Sequence, residues 1–147
     1  MNKIAICVDK SSSSLAAIET AVKFANRTGD KIVIIHSLKP VINNRDMISE
    51  SKQNMIERGE NMISDYINKA KELSSSNINV TGELINDDKD SIKSIVDYIS
   101  NNEDINHVFI GHKSLDKKHE KIYGSFAKKL IGESTVPVTV SNSEMEI

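Results

Sequence analysis

Residues 107–140 read His-Val-Phe-Ile-Gly-His-Lys-Ser-Leu-Asp-Lys-Lys-His-Glu-Lys-Ile-Tyr-Gly-Ser-Phe-Ala-Lys-Lys-Leu-Ile-Gly-Glu-Ser-Thr-Val-Pro-Val-Thr-Val. The apolar run from His107 to Ile110 has strand length and stops at Gly111. From Gly111 to Tyr123 the chain has no apolar periodicity and reads as a basic loop. Gly124-Ser125 then opens a short amphipathic segment, about Ser125 to Ile131, and a strand follows from Val136 to Ser141. A glycine turn beside a helix N-terminus offers free backbone N–H groups and the positive end of a dipole, which suits a phosphate. The layout points to a nucleotide.

Upstream, the same alternation recurs. Lys3 to Val8 is an apolar, β-branched run ending at Asp9, and the serines from Ser11 to Ser14 read as a helix N-cap region. Leu15, Ile18, Val22 and Ala25 recur at helical spacing, and Gly29 suits the C′ position that ends the helix. Lys31 to His36 is a second strand whose apolar residues are consecutive, so both of its faces should be covered, as in a parallel sheet. A polar connection around Pro40 to Asp46 leads to a helix from about Met47 to Leu73, with Met55, Met62, Tyr66, Ala70 and Leu73 near one face. Gly59 is expected to weaken or bend that helix by roughly 1 kcal/mol relative to Ala. Ile78 to Leu84 is a third strand, and acids from Asp87 to Asp90 precede a helix carrying Ile92, Ile95, Val96 and Ile99, as the helix dipole prefers. Strands alternating with helices imply a mainly parallel sheet wrapped on both faces. Ligands of such sheets bind beyond the carboxyl ends of the strands, where Asp9, Ser37 and Gly111 converge.

Bulk properties narrow the function classes. The 147 residues suit a single domain, 1–147, and 38% hydrophobic content allows a real core. A net charge of −2 and 4% aromatics, with no Trp, argue against nucleic acid as a partner. No apolar stretch approaches the ~20 residues that cross a bilayer, so no membrane is expected and the cytoplasm is the default location. Cys7 is the sole cysteine, which excludes an internal disulfide, and within an apolar strand it should be buried and inert. His36, His107, His112 and His119 lack metal-ligand spacing, and His36 reads as a hydrogen-bonded structural residue. No Walker pattern, Ser-His-Asp arrangement or paired carboxylates are legible, so efficient turnover is not expected, although slow nucleotide hydrolysis stays open.

These residues resemble the universal stress protein family over essentially the whole chain. The likeness lies in Val8-Asp9-Lys10-Ser11, in the second strand running into His36, and in the Gly-Ser, short helix, Val-Pro-Val ending. The ATP-binding branch of that family carries a glycine, two residues, a second glycine, nine residues, then Gly with Ser or Thr. Gly111 fits the first position and Leu115 to Tyr123 keep the nine-residue spacing to Gly124-Ser125, while Ser114 replaces the second glycine.

The resemblance implies a three-layer α/β sandwich, adenine nucleotide alpha hydrolase-like, with a five-stranded parallel sheet in the order 3-2-1-4-5. It implies ATP with Mg²⁺ or Mn²⁺ as cofactor. Asp9 would lie near the ribose or a phosphate-bound metal, Ser37 near adenine, and Ile110 to Lys113 along the nucleotide edge. Gly111, Ser114, Gly124, Ser125 and Phe126 would surround the phosphates. Homodimerisation through the last strand, Val136 to Ser141, is also implied. The residues themselves leave alternatives open. Asp9 could instead cap the first helix, Ser125 can cap a helix and face a phosphate together, and Lys113 could steer phosphate or belong to a solvated loop. Ser114 could crowd a phosphate or donate a hydrogen bond to it. The overall expectation is an ATP-binding stress-response binder or switch with little or no hydrolysis. The alternative is a nucleotide-free homodimeric interaction module.

Overall fold

Five strands and four helices alternate along the chain in the computed structural model, which describes residues 2–9, 11–38, 52–75, 77–87, 90–113 and 125–143. They are β1 (Lys3–Cys7), α1 (Ser13–Thr28), β2 (Lys31–Ser37), α2 (Lys52–Leu73), β3 (Val80–Ile85), α3 (Ser91–Asn101), β4 (Ile105–Lys113), α4 (Ser125–Glu133) and β5 (Val138–Ser143). The strands form one sheet in the order β3-β2-β1-β4-β5, with every pairing parallel. This is the expected three-layer arrangement. Among the described residues no helix is long and apolar enough to cross a membrane.

The pleat sorts the core into two halves. Ile4, Ile6, Ile32, Ile34 and Phe109 pack against α1 and α2, while Ala5, Cys7, Val33, Ile35, Val108 and Ile110 pack against α3 and α4. The consecutive apolar residues of β1 and β2 are therefore explained, since each strand is covered on both sides.

Several boundaries differ from the sequence reading. β4 continues through Gly111 to Lys113, because Gly111, His112 and Lys113 pair with Ser141, Asn142 and Ser143 of β5. The glycine turn expected at Gly111 is thus strand. Gly111 has no positive φ; among the described residues only Gly29 does, at 77°, where it closes α1 as expected. Gly111 is instead required by packing, for a Cβ there would lie 1.9 Å from the Ser13 carbonyl oxygen. The last strand begins at Val138 rather than Val136, and the Pro137 carbonyl accepts the Val108 amide at its start. Proline has no N–H to give a ladder, so it sits just outside the strand.

The helices depart from expectation at single positions. Leu15 is 39% exposed, and small Ala17 and Ala21 join Ile18, Val22 and Ala25 on the buried stripe, so α1 lies close to the sheet. Leu73 is exposed at the end of α2. Gly59 lies within α2 and is buried; a Cβ there would meet Leu84 Cδ1 at 2.9 Å, so its bareness allows close approach to the sheet. The connection around Pro40 to Asp46, and Met47, lie outside the described residues. α3 starts as read, with the Asp90 side chain accepting the amides of Ile92 and Lys93.

Candidate functional site

The carboxyl ends of β1, β2 and β4 share one edge. Cys7 is in register with Ile35 and with Ile110, so two residues further on Asp9, Ser37 and His112 come to the same level. α4 follows β4 and must run back before the parallel β5, which puts its first residue, Ser125, at this same edge.

Asp9 organises the turn between β1 and α1. Its Oδ1 accepts the Ser11 amide at 2.8 Å and the Ser11 hydroxyl at 2.6 Å. The Asp9 amide donates to Ser14 Oγ at 2.9 Å, and Ser14 Oγ in turn donates to the pair of Asp9 O at 3.1 Å and Oδ1 at 3.2 Å. The serine run is therefore not a simple cap: Ser12, at the N-cap, makes no side-chain cap bond, and Asp9 instead binds the Ser11 amide just before the helix. Asp9 holds the turn before α1 rather than an amide of the helix itself, and the residue is exposed at the edge. The Tyr66 hydroxyl donates to the Asp9 carbonyl at 3.0 Å. Burial, then the nearby Asp9 charge, raise the Tyr66 phenol above its ordinary value, which keeps it a donor. His36 Nδ1 lies 2.9 Å from the Val8 carbonyl oxygen, so that nitrogen carries the proton and His36 is the structural histidine expected.

Ser37 ends β2 and is 7% exposed. Its hydroxyl is buried without a hydrogen-bond partner among the described residues. Ile110 is buried in the core half that faces α3 and α4, and Phe126, on α4, is 37% exposed. Lys113 and Ser125 are placed by backbone only; Ser114 and Gly124 lie outside the described residues.

A cavity of about 840 Å³ opens on the α2 side of this edge, within the usual size range of small-molecule sites. Asp9, His36, Leu38, Met55, Gly59 and Met62 are among its lining. Among the described residues it shares only Asp9 and Ser37 with the set singled out from sequence; Ile110 and α4 are on the opposite face of the sheet. Both sides present a helix N-terminus that suits an anion at this edge, α1 on the α2 side and α4 on the other. Met55, Met62 and Tyr66 were legible as one face of a helix, but nothing in the sequence tied that face to this edge. Among the described residues no three His, Cys, Asp or Glu side chains gather as a protein-built metal site would need.

A parallel three-layer α/β fold with a ligand edge at its strand carboxyl ends is the class the geometry defines. The sequence matches the Universal stress protein family over residues 1–142, and the chain belongs to that family. No curated protein matches it in sequence. Among solved structures, a universal stress protein from Archaeoglobus fulgidus is 21% identical, with TM-score 0.73, covering 96% of this chain and 93% of that one. The Archaeoglobus fulgidus protein in complex with dAMP is 20% identical, with TM-score 0.70 and coverage of 96% and 98%. A family protein from Arabidopsis thaliana with AMP bound is 14% identical, with TM-score 0.66 and coverage of 97% and 92%.

Proposed function

We propose that the protein binds an adenine nucleotide across the α3/α4 side of this edge and acts as a nucleotide-dependent binder or switch in stress response, with little or no hydrolysis. The observation that carries this reading is the convergence of Asp9, Ser37, Ile110 and the start of α4 on one edge. Relatives of the same fold with dAMP and AMP bound support the ligand class. ATP is the ligand assigned, with Gly111, Lys113, Ser114, Gly124, Ser125 and Phe126 about the phosphates. A magnesium or manganese ion would come with the phosphates, as Mg²⁺ commonly does, and Asp9 is its candidate protein ligand. Its carboxylate is already shared with Ser11 and Ser14, which suits one ligand in a sphere otherwise of water and phosphate oxygens. The protein acts as a homodimer paired through β5, whose edge is open in the single chain.

Isothermal calorimetry with ATP and Mg²⁺ tests the reading. Micromolar binding that Gly124→Val weakens at least tenfold is expected. Binding weaker than millimolar and indifferent to that substitution would reject it. Native mass spectrometry of freshly purified protein gives an independent view: retained adenylate favours the binder, and a bare dimer favours the interaction module.

A further inference from the structure

Among the described residues the methionines are Met55 and Met62, both on α2, and both line the cavity on that side of the edge. Each is half-buried, so a small solute that enters the cavity meets a thioether. Met62 also packs against the core half beneath α1 and α2, as does Tyr66 one turn further along. Met55 is not among the side chains that pack there. Met62 therefore joins two properties: it is open to the cavity, and it touches what holds the fold.

Tyr66 extends that contact to the ligand edge. Residues one turn apart on a helix are neighbours on the same face, so Met62 adjoins Tyr66. The Tyr66 hydroxyl donates to the Asp9 carbonyl at 3.0 Å and so ties α2 to the turn before α1. A thioether is a weak acceptor, which leaves that hydroxyl to Asp9. A sulfoxide is polar and carries an oxygen that accepts strongly, so the same side chain, once oxidised, competes for the hydroxyl and fits the apolar contact poorly.

We propose that Met62 is an oxidation site through which a peroxide in the cavity loosens the Asp9 turn. The peroxide O–O bond breaks, one oxygen forms the S–O bond of the sulfoxide, and the other leaves as water with both protons. A pair of electrons passes from the sulfur to the peroxide. Oxidised Met62 withdraws from the core and draws the Tyr66 hydroxyl away from the Asp9 carbonyl. Met55 oxidises in the same cavity without this consequence. The proposal goes beyond the nucleotide reading and does not rest on it, since no ligand takes part.

The test treats the protein with hydrogen peroxide and follows each methionine by peptide mass spectrometry. Native Met62 is expected to oxidise within about tenfold of its rate in urea, and a slower reaction overturns the proposal. Oxidised protein should melt about 5 °C lower, and the Asp9 and Ser11 amides should exchange hydrogen about tenfold faster. Met55→Leu should keep both responses, and Met62→Leu, which conserves volume, should lose both. Methionine sulfoxide reductase should restore the wild type, a check that needs no variant to fold. Responses that survive in Met62→Leu overturn the proposal, as do unchanged Asp9 and Ser11 exchange rates once Met62 is oxidised. Failure to bind ATP would reject the nucleotide reading and leave these measurements untouched, so the two failures are distinct.

Discussion

Gly111→Ala should be among the most damaging single-methyl changes in this chain. The added Cβ would lie 1.9 Å from Ser13 O and 2.4 Å from Ser13 C, both backbone atoms. Ordinary C···O approach is about 3.4 Å, so β4 and the start of α1 must separate by roughly 1.5 Å. No rotamer change relieves this, because the obstacle is the first residue of a helix whose Ile18 and Val22 are locked in the core. Overpacking costs about 1–3 kcal/mol, and a backbone obstacle puts the expectation near about 3 kcal/mol. Gly132→Ala is the control: it lies in α4 with nothing within 4 Å of a Cβ, and should stabilise by about 1 kcal/mol. Both substitutions stiffen the unfolded chain alike, so their difference isolates the clash. Urea unfolding followed by circular dichroism reads it. With a slope of about 2 kcal/mol/M, the Gly111→Ala midpoint should fall by about 1.5 M and the Gly132→Ala midpoint rise by about 0.5 M. Equal midpoints for the two variants would refute the packing account and return Gly111 to the role of a loop hinge.

His107 stacks on Phe109 at 4.4 Å between ring centroids and bonds Thr139, and burial holds its imidazole below the ordinary value of 6.5, with Asp30 partly opposing. The unfolded chain therefore takes up the proton first, so this contribution is complete above pH 6.5 and declines as pH falls through 6.5 towards the folded value; His107→Gln should flatten that part of the stability profile, and an unchanged slope would contradict the assignment. Burial pushes the Cys7 thiol up to about 12, so iodoacetamide at pH 8 should leave the native protein unlabelled and modify it only in urea. Asp9→Asn keeps an oxygen for Ser11 and Ser14 and should cost under about 1 kcal/mol, whereas Asp9→Ala should cost about 2 kcal/mol. If Asp9→Asn binds Mg·ATP as the wild type does, the carboxylate serves the turn alone.

The sheet was legible because β1 and β2 are short, apolar on both faces and spaced by a helix, a pattern only a covered parallel sheet uses. The convergence of Asp9, Ser37 and Gly111 followed from that topology without knowledge of any side chain. What stayed hidden depends on distance between segments far apart in sequence. Gly111 looked like a turn residue because an apolar run ended there, yet its constraint comes from Ser13, nearly a hundred positions away. Leu15 fitted a helical stripe, but Ala17, Ile18, Ala21, Val22 and Ala25 make the contact and Leu15 stays exposed. Tyr66 was readable as part of a helix face and not as the donor that holds the Asp9 carbonyl. Ser37 was placed at the edge by topology and near adenine by resemblance, and only burial reveals that its hydroxyl lacks a partner among the described residues.

The turn at Asp9 is held from several directions before any ligand arrives. Ser14 binds its amide, carbonyl and carboxylate from α1, Tyr66 binds its carbonyl from α2, and His36 fixes the preceding Val8 carbonyl from β2. The restraints from Ser14, Tyr66 and His36 all come from the α1/α2 side of the sheet, which leaves the α3/α4 side of the edge for the proposed ligand. A turn fixed in this way loses little entropy when something binds against it, so contacts of modest strength can still give useful affinity. On the proposed nucleotide reading, the contacts that hold the turn and those that would hold the ligand fall on opposite faces of one edge. Substitutions on the α2 face, at Tyr66 or His36, should therefore weaken a nucleotide only by loosening Asp9.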